Sequence, residues 1–407
     1  MNDNESDIWQ YLILFALIAL GLAGFFFLNS YFLVGRFALT DFVLNWNSLQ
    51  RFIYDGFSPY SAETYANSTR LIIQQGGITE GLRNLHLPLW NLLLMLPFSW
   101  IQDIGIAGSI WLMLLEFSLA GVVVLSLMKM ERKESWFFTL ILVVFFLVWQ
   151  PFYASINTGS EVLLQVFLLL LSLYMVEKQS DEYAGVLLAL AFFNFEIFGI
   201  MFFTYFLWLL GNQRGGVLGG FVLTVLLLIV LSFLFSNNWY LEYLKNQLSF
   251  LGSNDLTTTA LLFEGWLPAI GKMMSYILAV LALATLLFEW QNIAKREAAG
   301  LLWVLSLCLP MVPLLGISYR PEWLIATMPA LMLVFTRFIG RWRILGLMLD
   351  IFLMIVIGSG LWLAKIYDLP SISLFFFPLL TVILLYWVRW DAVKKPRLWA
   401  DQLALKE

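Results

Sequence analysis

The side chains best suited to chemistry lie in polar stretches that interrupt a very apolar sequence. Asp41 begins one such stretch, Arg51 follows it, and Arg320 and Glu322 occupy a much shorter one later in the chain. A carboxylate can take a proton from a reacting hydroxyl group, and the planar donor fork of arginine matches the oxygens of a phosphate. These acids and arginines are therefore candidates for proton transfer and for phosphate binding.

The segments between these polar stretches are apolar enough to cross a membrane. Of the 407 residues, 61% are hydrophobic and 12% are charged, whereas soluble proteins have about 45–50% and about 25%. Residues 8–35 and 215–241 contain no charge, and a spanning helix needs only ~20 such residues. The sequence predicts an all-α polytopic membrane protein with about 11–13 transmembrane or re-entrant helices and with interfacial helices in its outer loops.

Composition also excludes several classes of protein. The chain has one histidine, His86, and one cysteine, Cys308, which cannot build a zinc site or a disulfide framework. It has no P-loop glycine pattern, and its net charge of −4 gives no footprint for nucleic acid. The acids of the outer loops form no Asp-x-Asp pair. We therefore expect no cofactor, no metal and no nucleic-acid partner.

Clusters of lysine and arginine orient the chain in the membrane. Such clusters mark cytoplasmic loops, and they lie at 129–133, 295–296, 337–343 and in the tail. The predicted regions follow: a first transmembrane helix at 1–35, an outer loop at 36–86, a transmembrane core at 87–236, a second outer loop at 237–272, C-terminal transmembrane helices at 273–389 and a cytoplasmic tail at 390–407. The number of crossings in the front half stays open. In one solution 87–101 re-enters and 184–210 dips in and out around 194–196.

The outer loops carry helical patterns of their own. One face of the first collects the apolar side chains Phe42, Val43, Trp46, Leu49, Phe52 and Ile53, which predicts an amphipathic helix in the membrane interface. A turn with Gly56 and Pro59 follows, and then a second helix at 62–75. Residues 238–251 predict another interfacial helix, which would flank the entry groove of a lipid. Asp41 lies just before the first helix, so N-capping is the structural alternative to a chemical role.

These segments resemble glycosyltransferase family 87, whose members are membrane enzymes of the GT-C superfamily similar to polyprenyl-phosphate-mannose-dependent mannosyltransferases. The likeness is carried by Asp41 before an aromatic-rich helix, by YDGFSPY at 54–60 and by LHLPLWNLLLMLPF at 85–98. NTGSEVLLQ at 157–165 and SYRPEWLIATMPALML at 318–333 resemble two later segments. Two departures stand out: Ser160-Glu161 replace a Gln and its neighbour, and FFNFEIFG lacks a Lys and a Pro.

The resemblance implies a GT-C-like fold and an inverting transfer of a hexose, with mannose favoured, from a polyprenyl phosphate to a hydroxyl of a lipid or glycan. It places the site on the extracytoplasmic side of the plasma membrane, in glycolipid synthesis of the cell envelope. Asp41 takes the position of the catalytic base. The residues expected to bind substrate or phosphate are Arg320, His86, Tyr60, Arg51, Glu161 and Glu322. A transporter or flippase of lipid-linked sugars is the alternative, and a non-catalytic scaffold of the same fold is a third.

Overall fold

The structure is a computed structural model, and the predicted all-α polytopic class is confirmed. It describes residues 19–33, 36–77, 85, 87–129, 136–192, 195–251, 259–317, 320–342, 344–369 and 371–394. Across these ranges the regular elements are helices, and no strand occurs among them.

The helices are numbered in chain order. They are α1 (Ala19–Tyr31), α2 (Thr40–Gln50), α3 (Ala62–Gln74), α4 (Leu89–Ser99), α5 (Ile104–Lys129), α6 (Trp136–Val148), α7 (Gln150–Thr158), α8 (Val162–Glu177), α9 (Asp181–Leu190), α10 (Phe195–Gly211), α11 (Gly215–Phe235), α12 (Trp239–Leu251), α13 (Thr259–Trp266), α14 (Gly271–Gln291), α15 (Ala298–Leu314), α16 (Met328–Trp342), α17 (Ile344–Ile366) and α18 (Phe377–Lys394). A π-helical turn, Arg51–Asp55, extends α2, and a 3₁₀ turn, Pro321–Thr327, precedes α16.

Among the described residues, five helices are long and apolar enough to cross a membrane: α5, α11, α14, α17 and α18, the last counted from its π-helical start at Ile372. The pair α6 and α7 makes a sixth candidate, bent by 55°. The bend has a local cause, because Trp149 leaves the helical conformation and Pro151 then fits the first turn of a new helix. Five shorter apolar helices, α1, α4, α8, α10 and α15, complete the set within the described ranges.

The geometry of α4 favours the re-entrant solution for the front half of the chain. Residues 89–99 are broken by a 3₁₀ turn at Leu93–Met95. At 1.5 Å per residue they rise by only ~16 Å, about half of the ~30 Å hydrocarbon core. The chain also breaks between Leu190, where α9 ends, and Phe195, where α10 begins. This break lies within residues 184–210, the segment that in this solution enters the membrane and leaves it on the same side.

Helix α2 begins next to Asp41, as predicted, and both of its faces are buried within the protein. Every residue from Thr40 to Leu49 is buried, because its polar face also finds partners. The Asn47 amide donates to the Ser68 hydroxyl of α3 at 2.8 Å, and the Gln50 amide donates to the carbonyl of Ser99 at 3.2 Å. By contrast, α3 and α12 lie within one residue of their predicted bounds and keep exposed faces.

Candidate functional site

The first turn of α2 is fixed against the turn that joins α7 to α8. The Leu39 N–H donates to the carbonyl of Asn157 at 2.8 Å. The Trp111 indole of α5 donates to the carbonyl of Gly159 at 2.8 Å, and its ring stacks on Phe42 with centroids 5.5 Å apart. Gly159 has a φ of +67°, and a Cβ there would lie 2.7 Å from the Cβ of Phe42. Only glycine permits this close approach.

Asp41 lies in that first turn and pairs with Arg320. Nη1 of Arg320 lies 3.1 Å from Oδ2 and 3.3 Å from Oδ1 of Asp41. Nε of the same guanidinium lies 2.5 Å from Oε1 of Glu322. Asp41 is 6% exposed and Glu322 is 5% exposed. One guanidinium therefore lies between two buried carboxylates, one of them 279 positions away in the chain.

Glu161 is the third acid at this place. It is 4% exposed and directly precedes α8. Burial raises its pKa to about 7, the charge of Asp41 contributes to the rise, and Arg320 opposes it. For Arg320, burial alone would lower the pKa, but Asp41 and Glu322 outweigh it, so the guanidinium stays charged. We call these four residues, Asp41, Glu161, Arg320 and Glu322, the acid–arginine cluster.

The N-cap alternative for Asp41 is wrong. The N-cap residue is Leu39, which has left-handed backbone angles (φ 45°, ψ 42°) and makes no side-chain cap. Such a conformation costs a non-glycine residue about 1–2 kcal/mol, and the packing around Phe42 and Asn157 keeps it in place. The structural role that competes with catalysis is therefore the ion pair of Asp41 with Arg320.

Two other predicted residues, Arg51 and Tyr60, stabilise the outer loop instead. Arg51 makes ion pairs with Asp55 at 3.4 Å and Glu63 at 3.6 Å. The Tyr60 hydroxyl donates to the carbonyl of Leu87 at 2.9 Å, and burial raises its pKa well above 10, so it remains a donor. In the described part of the chain, neither has a hydrogen bond or ion pair with the acid–arginine cluster. His86 lies outside the described residues.

A cavity of about 380 Å³ opens beside the cluster. Its walls include Asn157 and Thr158 of α7, Glu322 of the 3₁₀ turn, and Lys365 near the C-terminal end of α17. Its volume falls in the range of small-molecule sites. The sequence-based reasoning missed Lys365, which reads as a snorkelling lysine at the end of an apolar helix. The feature of the sequence that could have indicated Lys365 is its position as the first charged residue after Asp350.

In the described residues, a helical membrane protein places the acid–arginine cluster beside a cavity with polar side chains in its wall. The family model of glycosyltransferase family 87 matches residues 88–310, which is more than half of the chain. The chain therefore belongs to glycosyltransferase family 87, and it acts on a sugar donor and an acceptor in the membrane. Glu161 lies inside the matched range, whereas Asp41 and Arg320 flank it. No curated protein and no solved structure gives a significant match.

Proposed function

We propose that the acid–arginine cluster is the active site of an inverting hexosyltransferase that uses a polyprenyl-phosphate hexose, with mannose favoured. The acceptor is a hydroxyl group of a lipid or glycan of the cell envelope. The observation that carries the proposal is the contact between Asp41 and Arg320. The two residues singled out separately as base and phosphate ligand meet in one buried cluster, next to a cavity of the size of a small ligand.

In this mechanism the acceptor oxygen attacks the anomeric carbon from the face opposite the phosphate. The new C–O bond forms as the bond between the sugar and the phosphate oxygen breaks. Asp41 takes the hydroxyl proton, and the phosphate leaves with the bonding electron pair. A positioned base contributes about 10²–10⁴-fold to such a step, and a fixed cation near the leaving oxygen stabilises the charge that develops there.

The ion pair with Arg320 fixes the position of the proposed base. Nη1 of Arg320 lies 3.1 Å from Oδ2 of Asp41, and Nε of the same guanidinium is paired with Glu322. The carboxylate is therefore held in place before the acceptor hydroxyl arrives, as a positioned base requires.

Glu161 suits a contact with the sugar. With a pKa of about 7, it is roughly half protonated at neutral pH and can donate a hydrogen bond to a sugar oxygen. A permanent third negative charge beside Asp41 and Glu322 would strain the cluster. The raised pKa therefore keeps the net charge of the cluster close to that of a single anion.

The proposed orientation places the acid–arginine cluster on the extracytoplasmic face of the plasma membrane. Support comes from the basic stretches at 129–133, 295–296 and 337–343, which the positive-inside rule assigns to the cytoplasm. Nucleotide sugars are made in the cytoplasm, so a site on the far side needs a donor that the bilayer carries. A transporter or flippase would instead place its polar groups near the membrane midplane.

The test replaces Asp41 by asparagine, which keeps its shape and loses its proton affinity. Arg320 retains Glu322 as a partner, so the Asp41→Asn protein should fold, while sugar transfer falls by about 10²–10⁴-fold. Asp55→Asn is the matched control, because it also removes an Asp–Arg ion pair, but one that is half exposed. Exposed pairs contribute about 1 kcal/mol or less, so its transfer rate should stay near wild type. Wild-type turnover in a folded Asp41→Asn protein would contradict the assignment.

A further inference from the structure

We infer that the cleft between α6 and α17 binds the isoprenoid chain of a polyprenyl phosphate and that Lys365 binds its phosphate group; this rests on the proposed function and locates its donor. The cleft has a volume of about 580 Å³, and apolar side chains line it almost completely. Leu140, Val144 and Val148 form one wall, and Ile351 and Ile355 form the other.

The cleft is open to the bilayer along its length. Val148 and Ile355 are each 62% exposed, and Val144 is 50% exposed. Helix α17 is a candidate membrane span, and α6 is the first part of a bent candidate span. From Ile351 to Trp362 the α17 wall is about 16 Å long, at 1.5 Å per residue. A hydrocarbon chain already dissolved in the bilayer can therefore enter sideways without passing through water. This length fits the first few units of an isoprenoid.

A single indole separates this apolar cleft from the polar cavity beside the acid–arginine cluster. Trp362 lines the cleft, and its Nε1 donates across it to the carbonyl of Val148 at 3.0 Å. The walls continue without a gap on both sides: Trp149 lines the cleft and Gln150 the polar cavity, while Leu361 of α17 lines the polar cavity next to Trp362. The two cavities therefore adjoin at Trp362, and we call the pair the channel: one part is apolar, and the other carries the polar side chains.

Lys365 lies where the apolar part meets the polar part. Its Nζ is 4.4 Å from the ring centroid of Tyr153 and 5.5 Å from that of Trp362. Over the described residues it makes no ion pair with an acid, and aromatic faces hold the ammonium without neutralising its charge. Two acids share the cavity: Glu322, which is paired with Arg320, and Asp368, which is exposed on the rim.

This arrangement matches the chemistry of one kind of ligand. A polyprenyl phosphate has one apolar chain and a phosphate at its end, as the channel has one apolar cleft and an ammonium at its end. With the phosphate at Lys365, the attached sugar extends toward Thr158 and Glu322, the wall shared with the acid–arginine cluster. A phospholipid would bring two acyl chains to a site with one apolar cleft.

The experiment measures binding of farnesyl phosphate to the purified full chain, separately from transfer. Lys365→Met removes the charge and keeps an unbranched side chain, and it should weaken binding by about 10- to 100-fold, the usual worth of a charge-assisted hydrogen bond. Binding of farnesol, which lacks the phosphate, should not change. Gly358→Leu fills the cleft, because a Cβ at Gly358 already meets Phe145 at 3.6 Å, and it should weaken binding of both probes.

Gly360→Leu is the matched control for the cleft. It lies two residues further along α17 with open space around its Cβ, and it should bind both probes like wild type. Equal binding of farnesyl phosphate by wild type, Lys365→Met and Gly358→Leu would overturn the inference, as would equally strong competition by phosphatidylglycerol. Assays of sugar transfer on the same samples separate the two proposals. If the protein shows the expected binding pattern but transfers no sugar, the proposed function is contradicted, whereas the binding site at the cleft and Lys365 is supported.

Discussion

Replacing Glu161 by glutamine is expected to make the protein more stable and less active at neutral pH. Folding buries this carboxyl beside Asp41, and its pKa rises from 4.5 to about 7. Between these values the native state holds a proton that the unfolded chain has lost, so stability falls as the pH rises through this interval. Glutamine keeps the shape of the side chain and carries no charge, so the Glu161→Gln protein should not lose that stability.

The expected size of the effect follows from the shift. A rise in pKa from 4.5 to about 7 corresponds to about 3 kcal/mol of lost stability at pH 8, and to almost none at pH 4. This net shift already includes the contacts that favour the carboxylate, a backbone hydrogen bond and the charge of Arg320. The variant should therefore be more stable than wild type by about 3 kcal/mol at pH 8.

The assay is thermal unfolding of the purified protein in detergent from pH 4 to pH 8. The melting temperatures of wild type and Glu161→Gln should nearly coincide at pH 4, and the variant should melt several degrees higher at pH 8. Glu177→Gln, at the exposed end of the same helix, should follow wild type throughout. A Glu161→Gln protein that melts below wild type at pH 8, or at a constant offset across the range, would refute the reasoning.

Two further outcomes are expected. Gly159→Ala should lower the melting temperature and the transfer rate together, because its left-handed backbone and its contact with Phe42 make a Cβ cost about 1–3 kcal/mol. Gly215→Ala is the control, because there is open space around its Cβ, and it should melt like wild type. Equal melting temperatures of the two variants would contradict this prediction, because the turn would then accommodate the Cβ. In intact cells an impermeant thiol reagent should label Glu63→Cys and not Lys178→Cys, with little background from the buried Cys308; the reverse pattern would place the acid–arginine cluster in the cytoplasm.

Local patterns in the sequence predict much of the fold, because helices are local structures. The helices predicted at 238–251 and 62–75 are α12 and α3, and both lie within one residue of their predicted bounds. The burial of α2 was not predictable in the same way. From the sequence, its polar residues would be expected to face solvent. In the fold, Asn47 contacts Ser68, 21 positions away, and Gln50 donates to the carbonyl of Ser99, 49 positions away.

The site shows the same division between local and distant information. Asp41 and Arg320 each have the right chemistry in sequence, but the ion pair joins residues 279 positions apart, and no local pattern indicates it. Arg51 also resembles a phosphate ligand, yet its pair with Asp55 has i,i+4 spacing, which the sequence does display. A binding role for Lys365 is indicated only by its contact with Tyr153 and by the cavity between α7 and α17, which the sequence alone does not show.

The decisive measurement is transfer of radiolabelled hexose by the purified protein in lipid vesicles that contain extracted envelope lipids as acceptors. Label supplied on polyprenyl phosphate should move to the acceptor with inversion at the anomeric carbon, and it should do so in the presence of EDTA. Asp41→Asn should lower the transfer by about 10²–10⁴-fold. A nucleotide sugar alone should label nothing. Transfer from a nucleotide sugar, or movement of the intact lipid-linked sugar across the bilayer without any transfer, would contradict a lipid-dependent glycosyltransferase with Asp41 as its base.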